Sequence, residues 1–136
     1  MAELFVLDCS VSVAWFFEDE ECIYSAKILE KLEKSRALVP FLWNLEVINA
    51  INIAEKRSRI DRAKAASFLD RLNALEIIPS VFSPSREELL LASRSYDLTS
   101  YDALYLMLAI HERIPLATKD KALIRACDIV GVEVLK

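Results

Sequence analysis

The chain has one glycine, Gly131, and one histidine, His111, among 136 residues. With a single glycine, neither a G-x-G-x-x-G dinucleotide fingerprint nor a P-loop can be written, so phosphate cradling by a glycine-rich loop is excluded. With a single histidine, sites built from two or three imidazoles are excluded, the usual histidine-rich zinc centres among them. Cysteine is scarce: Cys9, Cys22 and Cys127 are widely spaced, odd in number and form no C-x-x-C. They read as buried free thiols in a reducing compartment. Long hydrophobic runs are missing too. The longest, Ala103–Ile110, falls far short of the ~20 residues that cross a bilayer. The N-terminal Met1-Ala2-Glu3-Leu4-Phe5-Val6-Leu7-Asp8 meets acids before any signal-length apolar stretch. A soluble, cytoplasmic protein without a membrane role is expected. Positive charge is not in excess either: 17 Lys and Arg face 21 Asp and Glu, a net charge of −4. That excludes a surface coated for sequence-independent duplex binding. A metal cluster or a local basic patch could still attract phosphate.

What is present is a core. Hydrophobic residues make up 54% and charged residues 28%, which excludes a disordered chain and fits one domain spanning residues 1–136. Short β-rich runs alternate with helical ones. Strands are expected at Phe5–Leu7, Ala37–Val39, Glu76–Pro79, Pro115–Thr118 and Val132–Leu135. Helices are expected from about Val11 to Phe17, over 20–34 and 42–57, and from an Asp61 cap to about Leu75. Three more should run from a Ser85 capping box to Tyr96, from Ser100 to Glu112 and from Lys121 to Val130. Strands separated by helices imply right-handed crossovers. The predicted fold is α/β, a three-layer α/β/α sandwich with a central parallel sheet of about five strands.

The chemistry lies in acids set among apolar residues. Asp8 ends the first strand's apolar run. Glu46 is the only charge between Arg36 and Glu55, and Asp102 the only one from Leu98 to His111. Asp120 lies just past the strand Leu116-Ala117-Thr118. Each also fits a plainer role: Asp8 and Asp120 as helix caps, Asp102 as the acid of a T-x-x-D box from Thr99, Glu46 on a solvent edge. Together they point elsewhere. Asp8 and Asp120 both follow strand ends, where open parallel sheets place their binding crevice. Four carboxylates gathered there without basic partners would repel one another unless a divalent cation neutralised them, and oxygen-only ligation suits Mg²⁺ or Mn²⁺ rather than zinc.

The segments Leu7-Asp8-Cys9-Ser10, Trp43-Asn44-Leu45-Glu46-Val47, Leu98-Thr99-Ser100-Tyr101-Asp102-Ala103-Leu104-Tyr105 and Ala117-Thr118-Lys119-Asp120 together resemble the four motifs of the PIN-domain nucleases. The length and the L-T-x-Y-D-A-L-Y string resemble most the VapC toxins of VapBC toxin–antitoxin pairs. The resemblance implies a Mg²⁺- or Mn²⁺-dependent endoribonuclease, a homodimer, inhibition by a small antitoxin protein and products with a 5′-phosphate. By it, Asp8, Glu46, Asp102 and Asp120 match the acidic quartet, and Ser10 and Thr118 the hydroxyl residues beside the first and last acids. Asp8 and Asp102 are expected as principal metal ligands, with Glu46 and Asp120 completing the outer sphere, positioning water or holding a second ion. Cys9, Ser58 and Asp97 depart from the pattern, at a position where alanine is common and two where glycine is. The alternatives are a protein of this fold that binds RNA or a protein without cutting, and an RNA-processing nuclease without an antitoxin.

Lys119 and Lys121, with Arg125, stand beside Asp120 as possible phosphate contacts. Residues 55–64 hold five basic residues in ten, which suits either a solvated turn or a contact with RNA. His111 fits the C-terminal end of a helix dipole. Trp15, Phe16, Phe17 and Trp43 fit either the core or a partner groove.

Overall fold

The structure, a computed structural model, describes residues 3–17 and 22–136. Its elements run β1 (Leu4–Leu7), α1 (Cys9–Val13), α2 (Ile23–Leu32), β2 (Arg36–Val39), α3 (Phe41–Lys56), α4 (Arg62–Asn73), β3 (Ile77–Pro79), α5 (Arg86–Tyr96), α6 (Ser100–Glu112), β4 (Leu116–Ala117) and α7 (Lys121–Val130). The four strands form one parallel sheet in the order β3-β2-β1-β4. β1 lies inside it, and Phe5, Val6 and Leu7 are almost wholly buried, which is why this strand reads as an unbroken apolar run.

The order dictates the layers. From β1 through β2 to β3 the chain steps one way across the sheet, and β3 to β4 then crosses back past β1. Right-handed crossovers put the helices of these two journeys on opposite faces. The packing agrees: α1 meets α2 and α3, and α3 meets α4, whereas α6 meets α5, α7 and β1. The direction reverses between β1 and β4. The C-terminal ends of those two strands therefore open a crevice.

The expected fifth strand is reduced to a bridge between Leu116 and Val134. β4 is only two residues long, so it offers a short ladder. Leu116 N–H donates to Glu133 O, and Leu135 N–H to Leu116 O. The first helix also differs, running over Cys9–Val13 rather than Val11–Phe17. The chain leaves it at Ala14 so that Phe16 and Phe17 can pack on Phe68, with ring centroids 4.9 Å and 6.5 Å away. Residues 20 and 21, where the next helix was expected to begin, lie outside the described residues.

Phe16, Phe17 and Trp43 are core, and Trp15, packed against it, donates its indole N–H to Ser25 O. His111 stacks on Phe82, centroids 4.3 Å apart, in the last turn of α6. All three cysteines are free, with Cys9 and Cys127 buried and Cys22 only partly so. Ser58 and Asp97, the two positions where the motif pattern favours glycine, both have left-handed backbone, at φ 57° and 50°. The basic stretch 55–64 turns the corner between α3 and α4, where Arg59 lies 4.3 Å from the Phe17 ring centroid.

Candidate active site

Asp8 follows β1, and its backbone N–H donates to Ala117 O of β4 at 3.0 Å, so the sheet ladder itself aims this residue into the crevice. It occupies the N-cap position of α1, yet its side chain makes no cap hydrogen bond. Asp8 Oδ2 instead accepts from Ser10 Oγ and from Thr118 Oγ1, both at 2.7 Å. The hydroxyls are used twice. Ser10 Oγ also accepts from Lys119 N–H at 3.2 Å, and Thr118 Oγ1 from Asp120 N–H at 3.0 Å. Residues from the ends of the first and last strands are thus tied into one polar knot.

Asp120 does cap α7, accepting from Leu123 N–H through Oδ1 at 2.9 Å. The plainer role proposed for it from sequence is real and uses one carboxylate oxygen. Asp102 sits in the first turn of α6, and its N–H donates to Thr99 Oγ1 at 3.1 Å. Glu46 lies on the flank of the buried Trp43–Val47 face of α3, partly exposed. Its Oε1 accepts from Tyr105 Oη at 2.6 Å. Tyr105 is a site neighbour that the sequence reading missed. The available signal was its place three residues after Asp102 on the same helix, and hence on the same face.

The acids act on one another through their charge. Burial raises the Asp8 carboxyl; the Ser10 and Thr118 hydroxyls pull it back, and the charge of Asp120 pushes it up again. Burial also raises Glu46, with Asp8 and Asp102 adding to the rise and Tyr105 opposing it. Asp102 is pushed up to about 6, first by burial and then by Asp120 and Asp8. The Cys9 thiol is pushed up to about 12 by burial and by the charges of Glu46 and Asp8, so it is a neutral wall of the crevice and no nucleophile. The partners of these acids are neutral hydroxyls and backbone amides. Among the described residues no lysine or arginine forms an ion pair with any of the four. Lys119 and Lys121 are exposed at the rim.

Such a set suits a hard divalent cation in its chemistry: oxygen donors only, and negative charge that no lysine or arginine among the described residues matches. It is not a closed cage. Among the described residues, no group of three or more His, Cys, Asp or Glu side chains is arranged to hold a metal ion by itself. The two facts are compatible for Mg²⁺, which keeps several waters and takes one or two carboxylates directly. Asp8, with Oδ1 free of the hydroxyl knot, and Asp102 are the side chains suited to direct contact.

The PIN domain family model matches residues 5–129, from within β1 to within α7. The chain belongs to the PIN domain family. PIN domains are in general nucleases, hydrolases that act on nucleic acid. Among solved structures, the crystal structure of PAE2754 from Pyrobaculum aerophilum is similar to this PIN domain at 25% sequence identity and a TM-score of 0.69, over 98% of this chain and 92% of that one. Among curated proteins, none matches this chain.

Proposed function

We propose that this PIN domain is a Mg²⁺- or Mn²⁺-dependent endoribonuclease and the VapC-type toxin of a toxin–antitoxin pair. One observation carries the catalytic reading: Asp8, Glu46 and Asp102, from three separate segments, are raised by burial and by the charges of neighbouring acids, Asp120 among them, and among the described residues no lysine or arginine pairs with any of the four. A bound divalent ion would offset that repulsion, lower the pKa of a water and withdraw charge from the phosphoryl oxygens. Asp8 and Asp102 would hold it. Ser10 and Thr118 fix the Asp8 carboxylate through Oδ2, so Oδ1 would be the oxygen to meet the ion. Glu46, with Oε2 left over by Tyr105, and Asp120, with Oδ2 left over by its helix cap, would orient water for the attack on phosphate. Lys119 and Lys121 meet the RNA backbone at the rim. No helix of the described residues is long and apolar enough to cross a membrane.

The partner part of the reading draws support from α3. Phe41, Leu45 and Ile48 recur at helical spacing on its outer face and are 63%, 57% and 49% exposed. An apolar stripe of this kind suits contact with another chain, here a second copy in a homodimer, with the small antitoxin as a further partner.

The decisive experiment is cleavage of RNA by the purified protein. Activity is expected to vanish in excess EDTA and to return with Mn²⁺ or Mg²⁺, and Asp8→Asn should stay inactive after metal is restored. EDTA-resistant cleavage, or full activity in Asp8→Asn, overturns the metal-centre assignment. Metal-dependent RNA binding without cutting would instead favour the binding-protein alternative.

A further inference from the structure

The buried tyrosine beside Glu46 ties together two helices that approach each other only in the fold. Tyr105 is wholly buried, so its hydroxyl must find a partner inside the protein. A backbone carbonyl would serve; Tyr24 solves the same problem that way, donating to Leu135 O at 2.6 Å. Tyr105 takes a carboxylate instead. Its Oη donates to Glu46 Oε1 at 2.6 Å, across 59 residues of sequence, within the short range of charge-assisted O–H···O bonds.

The geometry has two consequences. Glu46 has three rotatable side-chain bonds and is partly exposed, and the charges of Asp8 and Asp102 press on it. Left alone, it would turn toward solvent. The Tyr105 bond pins one oxygen and leaves Oε2 as the only one free to face the crevice. Moreover, Tyr105 and Asp102 are three residues apart on α6, so one rigid helix sets the position of its own acid and that of the acid on α3.

We infer that Tyr105 is a positioning residue: by holding Glu46 Oε1 from α6, it keeps Glu46 Oε2 turned into the acidic crevice and thereby sets the affinity of the site for its divalent cation. The inference rests on the metal-dependent reading above and deepens it. A neutral hydroxyl suits this task better than a lysine, because it orients the carboxylate without cancelling the charge that attracts the ion.

The test is Mn²⁺ binding, followed by the electron paramagnetic resonance of the free ion, in wild-type protein, Tyr105→Phe, Glu46→Ala and the double variant. Loss of an outer-shell partner typically weakens metal affinity about 10- to 100-fold; because Glu46 acts on the ion through water, a loss at the lower end, about 10-fold, is expected for Tyr105→Phe. The double variant should bind no more weakly than Glu46→Ala alone, since the hydroxyl acts through that carboxylate. Tyr105→Phe that binds Mn²⁺ as wild type does, or a double variant in which the two losses multiply, overturns the inference and leaves the metal centre standing. Should Tyr105→Phe fail to fold, Glu46→Asp replaces it, because the shorter arm keeps the charge but cannot reach both Tyr105 and the crevice. The same loss is expected there, and wild-type affinity overturns the inference. Wild-type protein that takes up no Mn²⁺ overturns the metal reading itself, and this inference with it.

Discussion

Replacing Asp102 by asparagine should stabilise the metal-free protein while removing a metal contact. The carboxyl rises from an ordinary value of 3.8 to about 6, with burial the larger cause and the charges of Asp120 and Asp8 the next. A group whose pKa is higher in the folded state than in the unfolded chain gives its full stabilising contribution below the unfolded pKa and loses it as pH climbs through the folded value. For Asp102 that window runs from about pH 4 to pH 7. The ceiling on the loss is about 3 kcal/mol. The side chain is only partly buried, so solvent screening reduces this to about 1 kcal/mol. One effect opposes it: an acid in the first turn of α6 is favoured by the helix dipole by about 0.3 kcal/mol at an exposed site. Repulsion and burial win. Asp102→Asn should therefore melt about 2–5 °C above wild type at pH 8 in EDTA, with the difference shrinking toward zero at pH 4. Saturating Mn²⁺ should reverse the order, since a ligand at a hundred times its dissociation constant adds about 2.7 kcal/mol and the variant holds it poorly. Calorimetry over this pH range reads all three outcomes. A variant less stable than wild type at pH 8 in EDTA, or one with an unchanged pH profile, would refute the claim that the acids are held together against their charge.

Two further outcomes follow from other parts of the structure. Ser58 has φ 57° at the corner between α3 and α4, where a residue with a Cβ costs roughly 1–2 kcal/mol. Glycine there gives back part of the gain through a freer unfolded chain, so Ser58→Gly should raise the unfolding free energy by about 0.5–1 kcal/mol in urea titrations. Loss of stability would place that corner outside the left-handed region. Lys119→Ala/Lys121→Ala should raise KM for RNA and flatten its salt dependence, with kcat little changed; unaltered KM and salt slope would remove both lysines from the substrate path.

The elements most legible in the sequence carry local signals. Ser100–Glu112 and Lys121–Val130 form as read, because Thr99 and Asp120 cap their first turns and Gly131 supplies a left-handed stop at φ 81°. The Ser85 capping box is made in full: Ser85 Oγ accepts from Glu88 N–H, and Glu88 Oε1 accepts from Ser85 N–H. The start of α1 was not legible. Asp8 holds its N-cap position without acting as a cap, since its carboxylate is engaged by Thr118 from the far end of the chain. The last strand failed for a similar reason: its extent depends on β4, which is too short to pair with most of it. At the site, apolar surroundings betrayed Asp8, Glu46 and Asp102 individually, and strand ends suggested where Asp8 and Asp120 would meet. The bond from Tyr105 to Glu46 left no mark in the sequence beyond a spacing of three from Asp102, because its partner lies on another helix.

Anomalous scattering from a crystal soaked in Mn²⁺ addresses the acidic crevice itself. The expected result is a peak in contact with carboxylate oxygens of Asp8 and Asp102, with water completing its shell between them and Glu46 and Asp120. A soaked crystal without density there, or with these acids turned toward Lys119 or Lys121 instead, would contradict the reading of this PIN domain as a metal-dependent nuclease.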